Sequence, residues 1–416
     1  MSDLHSSHEV WLSTLEDHLN TERYSSKTAR HCVSVAREFL AFLDKQRIEI
    51  SAAQPAIVER YLEVARQSYR RLHGHPPHYE GWRRTHTDGI HMLLRLAQGQ
   101  WPPVPIPATP FDLFKREIPE AYAKWLTDLR GLAPGTVSGR RDEAHRFLDW
   151  LGERATREAL AFITVADIDT YLKNRASSMR RVSIKPVATH LRNFLRWLRT
   201  TGQTERDLST AVVAPALYAF EHIPSALRSQ DVDKILSMAK QDLTPEGIRD
   251  FAILMLLANY GVRAGEIASL RLDDVDWRKE VIRIRHRKTG VTSYLPLLPD
   301  VGEAILAYLR QVRPKVSFRE IFIRIRAPYR PFRDGSSLYG LVRYRIDAAG
   351  VPPQGKRGPH VFRHARAVSM IRASIPLKEI GDVLGHRASD STFLYLKLAT
   401  EDLRAIALEI PGEVKP

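Results

Sequence analysis

The feature that most restricts the fold of this chain is a pair of matched segments, SSKTARHCVSVAREFLAFL (25–43) and APGTVSGRRDEAHRFLDWL (133–151). Each places a threonine near a helix start, and Thr28 to Phe39 has the same spacing as Thr136 to Phe147. Each then continues as aromatic-Leu-x-aromatic-Leu, through Phe39, Leu40, Phe42, Leu43 and Phe147, Leu148, Trp150, Leu151. A second short helix ending in Tyr-Leu is predicted after each, at Tyr61-Leu62 and Tyr171-Leu172. A basic amphipathic helix closes each block, GIHMLLRLAQ (89–98) and ATHLRNFLRWLRT (188–200). Two generic helical bundles would share the helix period, but the matched order predicts a duplicated small helical domain.

A chain of 416 residues exceeds one ordinary core, so two or three domains are expected. Between the matched blocks lies WPPVPIPATP, whose prolines make a stiff extended linker. The predicted division is a helical domain at 1–100, a linker at 101–111, a second helical domain at 112–210, a linker at 211–225 and a third domain at 226–416. Almost no strand alternation precedes residue 210. In the third domain, helices are predicted at about 230–240, with a cap near Ser229, and at 245–258 and 264–271. The alternation in VIRIRHRKTGVTSYLPL (281–297) predicts two strands joined by a turn at Thr289-Gly290. The expected fold class is therefore mainly α, with a small antiparallel sheet in a mixed α+β third domain.

A formal charge of +15, carried mostly by arginine, favours a polyanionic partner, nucleic acid before a membrane surface. The single cysteine, Cys32, excludes an intramolecular disulfide and a cysteine metal cluster, and suits a reducing cytoplasm. Its place in an apolar helical pattern predicts a buried, inert thiol. MSDLHSSHEV lacks the basic-then-apolar order of a signal peptide, and the longest apolar run, FAILMLLA (251–258), is too short to span a bilayer. No HExxH, P-loop, GxGxxG or GxSxG sequence is present.

The third domain instead offers cations, imidazoles and one tyrosine at short spacings. In LLANYGVRAGEIASLRLDDVD (256–276), Arg263 opens a helix and Glu266 lies one turn on; a surface ion pair is the usual fate of such residues. In PHVFRHARA (359–367), His360 and Arg363 share a helical face and can converge on one anion, whereas His364 points elsewhere as a packed or hydrogen-bonded residue. Lys288 sits at the hairpin turn. LGHRASDSTFLYLK (384–397) carries His386 and Tyr395 around a helix that Asp390 or Ser391 could cap, with Phe393, Leu394 and Leu396 as packing residues. Arginines hold phosphate oxygens bidentately, so such a set suits a phosphodiester without a metal.

Together, and in this order, these pieces resemble the tyrosine recombinase (phage integrase) family over residues 226–416. GVRAGEIASLRLDDVD is similar to the family's first arginine box and LGHRASDSTFLYLK to its nucleophile box. The 112–210 region is similar to the family's core-binding domain, so the resemblance implies two helical SAM-like DNA-binding modules before a catalytic domain. It implies Tyr395 as nucleophile, forming a 3′-phosphotyrosyl intermediate, with Arg263 and Arg363 clamping the phosphate. It further implies Lys288 as the acid for the leaving 5′-oxygen, His360 assisting proton transfer, His386 on the phosphate and Glu266 orienting Arg263. HRKTGVTSYLPL offers both Arg287 and Lys288; Lys288 is preferred because Lys-Thr-Gly and the later Leu-Pro-Leu match a common form of the motif. Where the family often has threonine after HxxRH, this chain has Ala365.

The resemblance implies no cofactor, neither metal nor ATP. Its implied partners are double-stranded DNA, further copies of the chain as a tetramer on two DNA sites, and other recombinases of the same element, with no membrane. The tail EDLRAIALEI (401–410) is expected to dock on a neighbouring subunit, packing in cis being the alternative. The first helical domain would bind flanking DNA or a protein. Two rival activities stay open: strand relaxation of the type IB topoisomerase kind, and a DNA-binding accessory role in a recombinase assembly.

Overall fold

The computed structural model describes residues 2–107, 109–217, 226–352, 355, 357–386 and 395. They fall into two compact units, one within Val104–His222, the other drawn from Met1–Pro103 and Ile223–Pro416. Among the described residues four buried apolar clusters run through them, one in the first 103 residues, one in the Val104–His222 unit and two in the C-terminal region.

In the first 103 residues the helices are α1 (Ser2–Thr21), α2 (Ser26–Gln46), α3 (Pro55–His73) and α4 (Tyr79–Gln98). The Ser25 hydroxyl caps α2 by accepting from the Thr28 N–H at 3.2 Å. Leu15, Leu19, Phe39, Leu40, Leu43, Ile90, Leu93 and Leu94 form the buried core. Each fully buried side chain of this kind contributes roughly 1.5–3 kcal/mol. Cys32 is buried, and burial followed by the charge of Asp88 pushes its thiol up to about 11, the inert state expected of it. This core shares its unit with the C-terminal region: Arg330 Nη2 pairs with Glu22 Oε1 at 2.5 Å and Arg23 Nη1 donates to the Lys315 carbonyl at 3.0 Å.

The Val104–His222 unit contains α5 (Pro110–Asp128), α6 (Pro134–Leu151), α7 (Arg157–Leu160), α8 (Val165–Ser177) and α9 (Arg181–Thr200). Reciprocal Thr-Asp capping boxes start α5 and α8, at Thr109–Asp112 and Thr164–Asp167. The matched aromatic spacing becomes matched packing in the two regions. Phe39 meets Tyr61 edge-on at 5.3 Å, and Phe147 meets Tyr171 edge-on at 5.1 Å. Phe42–Tyr61 at 5.6 Å has its counterpart in Trp150–Tyr171 at 5.4 Å. The two tyrosines do not end short helices, as predicted, but lie inside α3 and α8, which continue past them.

The C-terminal region holds α10 (Ser229–Gln241), α11 (Pro245–Tyr260), α12 (Ala264–Ala268), α13 (Pro299–Gln311), α14 (Tyr339–Ala348), α15 (His360–Arg372) and α16 (Leu377–Leu384). α10 starts at Ser229, but Arg228 is its N-cap and no side chain caps it. α11 is the central element, burying Ala252 through Leu257 in one run. Beside it lies an antiparallel sheet, β1 (Val275–Asp276), β2 (Val281–His286) and β3 (Val291–Pro296), in the order β1-β2-β3. The register pairs Ile282 with Leu295 and His286 with Val291. The third strand, β1, is too short to carry a period and was not predicted. α12 ends three residues before its predicted end because the Leu272 N–H is taken by the Arg319 carbonyl at 2.9 Å and the Leu270 carbonyl by the Ile321 N–H at 2.8 Å. Among the described residues no helix is long and apolar enough to cross a membrane.

Candidate active site

α11 ends at Gly261, whose φ of +60° turns the chain toward α12. Arg263 is the N-cap of α12, and Glu266, three residues on, folds back onto it. One oxygen of Glu266 accepts the Arg263 backbone N–H at 2.8 Å, the other accepts Arg263 Nη1 at 2.8 Å. The pair is not the surface ion pair that such a spacing ordinarily gives: Glu266 is buried. Burial alone would raise its carboxyl, but hydrogen bonds from His286 and Arg263 outweigh it and hold the group below the usual range. The guanidinium of Arg263 is thus clamped on one side and faces a cleft on the other.

That cleft, of about 680 Å³, is lined by Arg263, Arg287, Lys288, Phe332, Tyr339 and His360 among others. Arg287 and Lys288 occupy the turn between β2 and β3, both exposed. His360 is the exposed first residue of α15. Tyr339, also on the wall, was not singled out in the sequence, where its flanks carry no charged pattern.

One turn along α15, Arg363 points inward and is 3% exposed. Its Nη1 donates to the Gly261 carbonyl at 2.8 Å and its Nη2 to the Leu384 carbonyl at 2.6 Å. Nη2 also lies 2.8 Å from His386 Nε2. A guanidinium only donates, so Nε2 accepts and the neutral imidazole carries its proton on Nδ1. Burial, then the charges of Arg363 and Arg263, push His386 down to about 4. The Arg363 guanidinium itself is lowered, chiefly by burial, with Tyr395 acting against that through charge and a hydrogen bond.

Tyr395 packs with Ala367, Met370, Ile380 and Leu384 and is 3% exposed. Its ring stacks on His386 at 5.8 Å and lies 5.5 Å from His364. His364 is therefore beside the tyrosine and not turned away from it, one helical turn from His360, with the two rings 6.3 Å apart. The structure thus gathers two connected groups. Arg363, His386 and Tyr395 form a buried one; Arg263, Lys288 and His360 line the cleft, and the charge of Arg263 reaches Arg363 and His386. Asp390, Ser391, Phe393, Leu394, Leu396 and the 401–410 tail lie outside the described residues.

Of the described buried polar residues not singled out in the sequence, His286 is the one that joins this site. His286, 1% exposed, places Nδ1 2.9 Å from Glu266 Oε1 and Nε2 3.0 Å from Ser293 Oγ. The signal was its register: it follows Ile282 and Ile284 on the inward face of β2.

Residues 225–402 match the Phage integrase family. The chain is similar to the integrase/recombinase-type protein y4gC of Sinorhizobium fredii, 56% identical over 190 residues, covering 46% of this chain and 97% of that one. It is similar to y4rA, of the same type and organism, at 37% identity over 297 residues, 71% of each chain. A lambda integrase tetramer bound to a Holliday junction shares the fold, with a TM-score of 0.52 at 18% identity over 74% of this chain and 85% of that one. With the fold and the gathered side chains, these similarities lead to one conclusion: the chain belongs to the phage integrase family, the tyrosine recombinases.

Proposed function

We propose that this site-specific tyrosine recombinase breaks and rejoins DNA through a 3′-phosphotyrosyl bond on Tyr395. The observation that carries the reading is the convergence on Arg363: its guanidinium contacts His386 and Tyr395 and lies within the field of Arg263. A phenol has a pKa of about 10 and is a weak nucleophile when neutral. Two guanidiniums neutralise the charge that builds on a five-coordinate phosphorus.

In the proposed reaction the Tyr395 oxygen attacks the scissile phosphorus and the bond to the 5′-oxygen breaks. Lys288 protonates that oxygen, and Arg263 and Arg363 hold the non-bridging oxygens. His386, neutral with its proton on Nδ1, donates to the phosphate, and His360 assists proton transfer. Glu266 orients Arg263. The 5′-hydroxyl of a partner strand then attacks the phosphotyrosyl ester, so one ester is exchanged for another and no ATP is consumed. Tyr395 is 3% exposed, so the attack requires its hydroxyl to become accessible to the phosphorus.

The proposed partners are duplex DNA and further copies of the chain, four acting on two sites, a reading supported by the lambda integrase tetramer on its junction. The charge of +15 supports the DNA part. The element served is proposed to be mobile and bacterial, which the integrase/recombinase descriptions of the Sinorhizobium relatives support. The first helical region, whose ring packing parallels that of α6 and α8, is proposed to lengthen the DNA footprint. The test is a nicked suicide duplex built from DNA flanking the gene. A covalent adduct with the wild type but not with Tyr395→Phe is the expected result. No adduct on any flanking sequence would assign the chain an accessory DNA-binding role instead.

A further inference from the structure

An imidazole on the apolar face of a strand is costly to bury unless both nitrogens are engaged. Those of His286 are, and each bond leads to a segment that carries a candidate catalytic side chain. Glu266 can only accept, so Nδ1–H of His286 donates to Oε1, the oxygen that also holds Arg263 Nη1. Nε2 meets Ser293 Oγ, which also lies 3.1 Å from the Asp382 carbonyl near the end of α16. The ring face lies against Gly385, where a Cβ would fall inside the imidazole. Gly385 is the residue before His386.

The backbone of His286 shapes the hairpin tip as well. Its carbonyl accepts from Gly290 N at 2.7 Å, Thr289 N at 2.9 Å and Thr289 Oγ1 at 3.2 Å. Thr289 Oγ1 also lies 3.3 Å from the Gly385 carbonyl, so the tip bearing Lys288 is tied to the His386 turn. One buried side chain thus touches the partner of Arg263, the hairpin of Lys288 and the turn of His386.

We propose that His286 is a positioning residue for strand cleavage: its Nδ1–H fixes the Glu266 carboxylate, and through it the Arg263 guanidinium, in the geometry that receives the scissile phosphate. This rests on the reading of Tyr395 as nucleophile. Glu266 Oε1 serves two donors, and removing His286 leaves the carboxylate held only by Arg263, through its backbone N–H and the guanidinium it is meant to orient. The guanidinium then shifts with its partner. A misplacement of about 1 Å in such a group lowers a rate on the order of 100-fold.

The experiment compares His286→Asn, His286→Gln and His286→Leu in the full-length protein. Single-turnover adduct formation on nicked duplexes is followed at saturating protein, with melting temperature and duplex affinity measured alongside. Asparagine can place a donor where Nδ1–H stands, whereas the glutamine amide reaches the Nε2 position. Asn is expected to stay within about 3-fold of wild type, and Gln and Leu to fall on the order of 100-fold, with duplex affinity unchanged. A second duplex carries sulfur in place of the bridging 5′-oxygen, a leaving group that needs no proton. Sulfur should relieve Lys288→Ala but not His286→Leu, because the arginine acts on the phosphorus whatever departs.

A His286→Leu protein that cleaves like wild type overturns the inference, as does rescue by Gln in place of Asn. Full relief of His286→Leu by sulfur overturns it too, since the defect would then run through Lys288. If Leu lowers the melting temperature below the assay range, the Asn and Gln pair decides alone. A wild type that forms no adduct overturns the underlying function and this inference with it. An active wild type beside an equally active His286→Leu overturns only this inference.

Discussion

Replacing Arg363 by lysine keeps the charge and removes the fork. The guanidinium spans the Gly261 carbonyl at 2.8 Å, the Leu384 carbonyl at 2.6 Å and His386 Nε2 at 2.8 Å. An ammonium on a straight stem reaches one side of that span, so two of these bonds are lost. Hydrogen bonds to a charged group are worth about 1.5–3 kcal/mol each, and an orphaned buried acceptor costs about 1–3 kcal/mol. The contributions overlap, and disrupting a buried charged network of this kind destabilises by about 3–5 kcal/mol. For a region of this size that lowers the melting temperature on the order of 10 °C. Scanning calorimetry reads the shift, and amide exchange over α11 and α15 assigns it to the region that Arg363 ties together. Adduct formation should fall by roughly 100- to 1,000-fold, as for loss of one donor to a developing oxyanion. An Arg363→Lys protein that melts and exchanges like wild type would refute the account of Arg363 as a tie between Gly261, Leu384 and His386.

Two further perturbations bear on the same turn. His386 titrates at about 4 in the folded protein against an ordinary 6.5, facing Arg363, Arg263, His286 and Glu266. The unfolded chain takes up this proton first as pH falls, so stability is highest above 6.5 and is lost as pH drops toward 4. Melting temperatures from pH 7 to 4.5 should therefore fall more steeply for wild type than for His386→Gln; parallel lines would contradict the depressed value. Gly385→Ala forces a non-glycine residue to φ +64° and drives a Cβ into the His286 ring. Gly350→Ala, at φ +62° with only Lys234 Nζ nearby at 3.8 Å, carries the conformational cost of about 1–2 kcal/mol without the collision. The Gly385 variant should slow adduct formation where the Gly350 variant leaves it intact, and equal rates would remove the steric argument.

What was legible in the sequence was what local spacing determines. Thr28 to Phe39 and Thr136 to Phe147 put matching aromatics on matching helix faces, and the rings pack at nearly the same distances. The alternation of 281–297 gave β2 and β3, but a two-residue β1 has no period to detect. The length of α12 is set by Arg319 and Ile321, which capture backbone groups from some 50 residues away, and no local pattern announces that. At the site, order along the chain picked out Arg263, Arg363, His386 and Tyr395, which the fold brings together. Burial was not legible: an i,i+3 pair reads as a surface bridge until the fold covers Glu266. His286 was readable in principle from its inward register, yet its partners come from α12, β3 and the turn after α16. Those meet only in the folded chain.

Two tyrosines stand at the site, one buried and one open, and only one of them can form the proposed bond to DNA. Tyr395 is 3% exposed, whereas Tyr339 lines the open cleft at 46% exposure. Accessibility alone would select Tyr339; the company of Arg363 and His386 selects Tyr395. Wild-type protein trapped on a nicked duplex, digested with protease and nuclease and sequenced by mass spectrometry, identifies the residue directly. The nucleotide remnant is expected on Tyr395, joined through a 3′-phosphate. A remnant on Tyr339 or on any other residue would contradict that assignment.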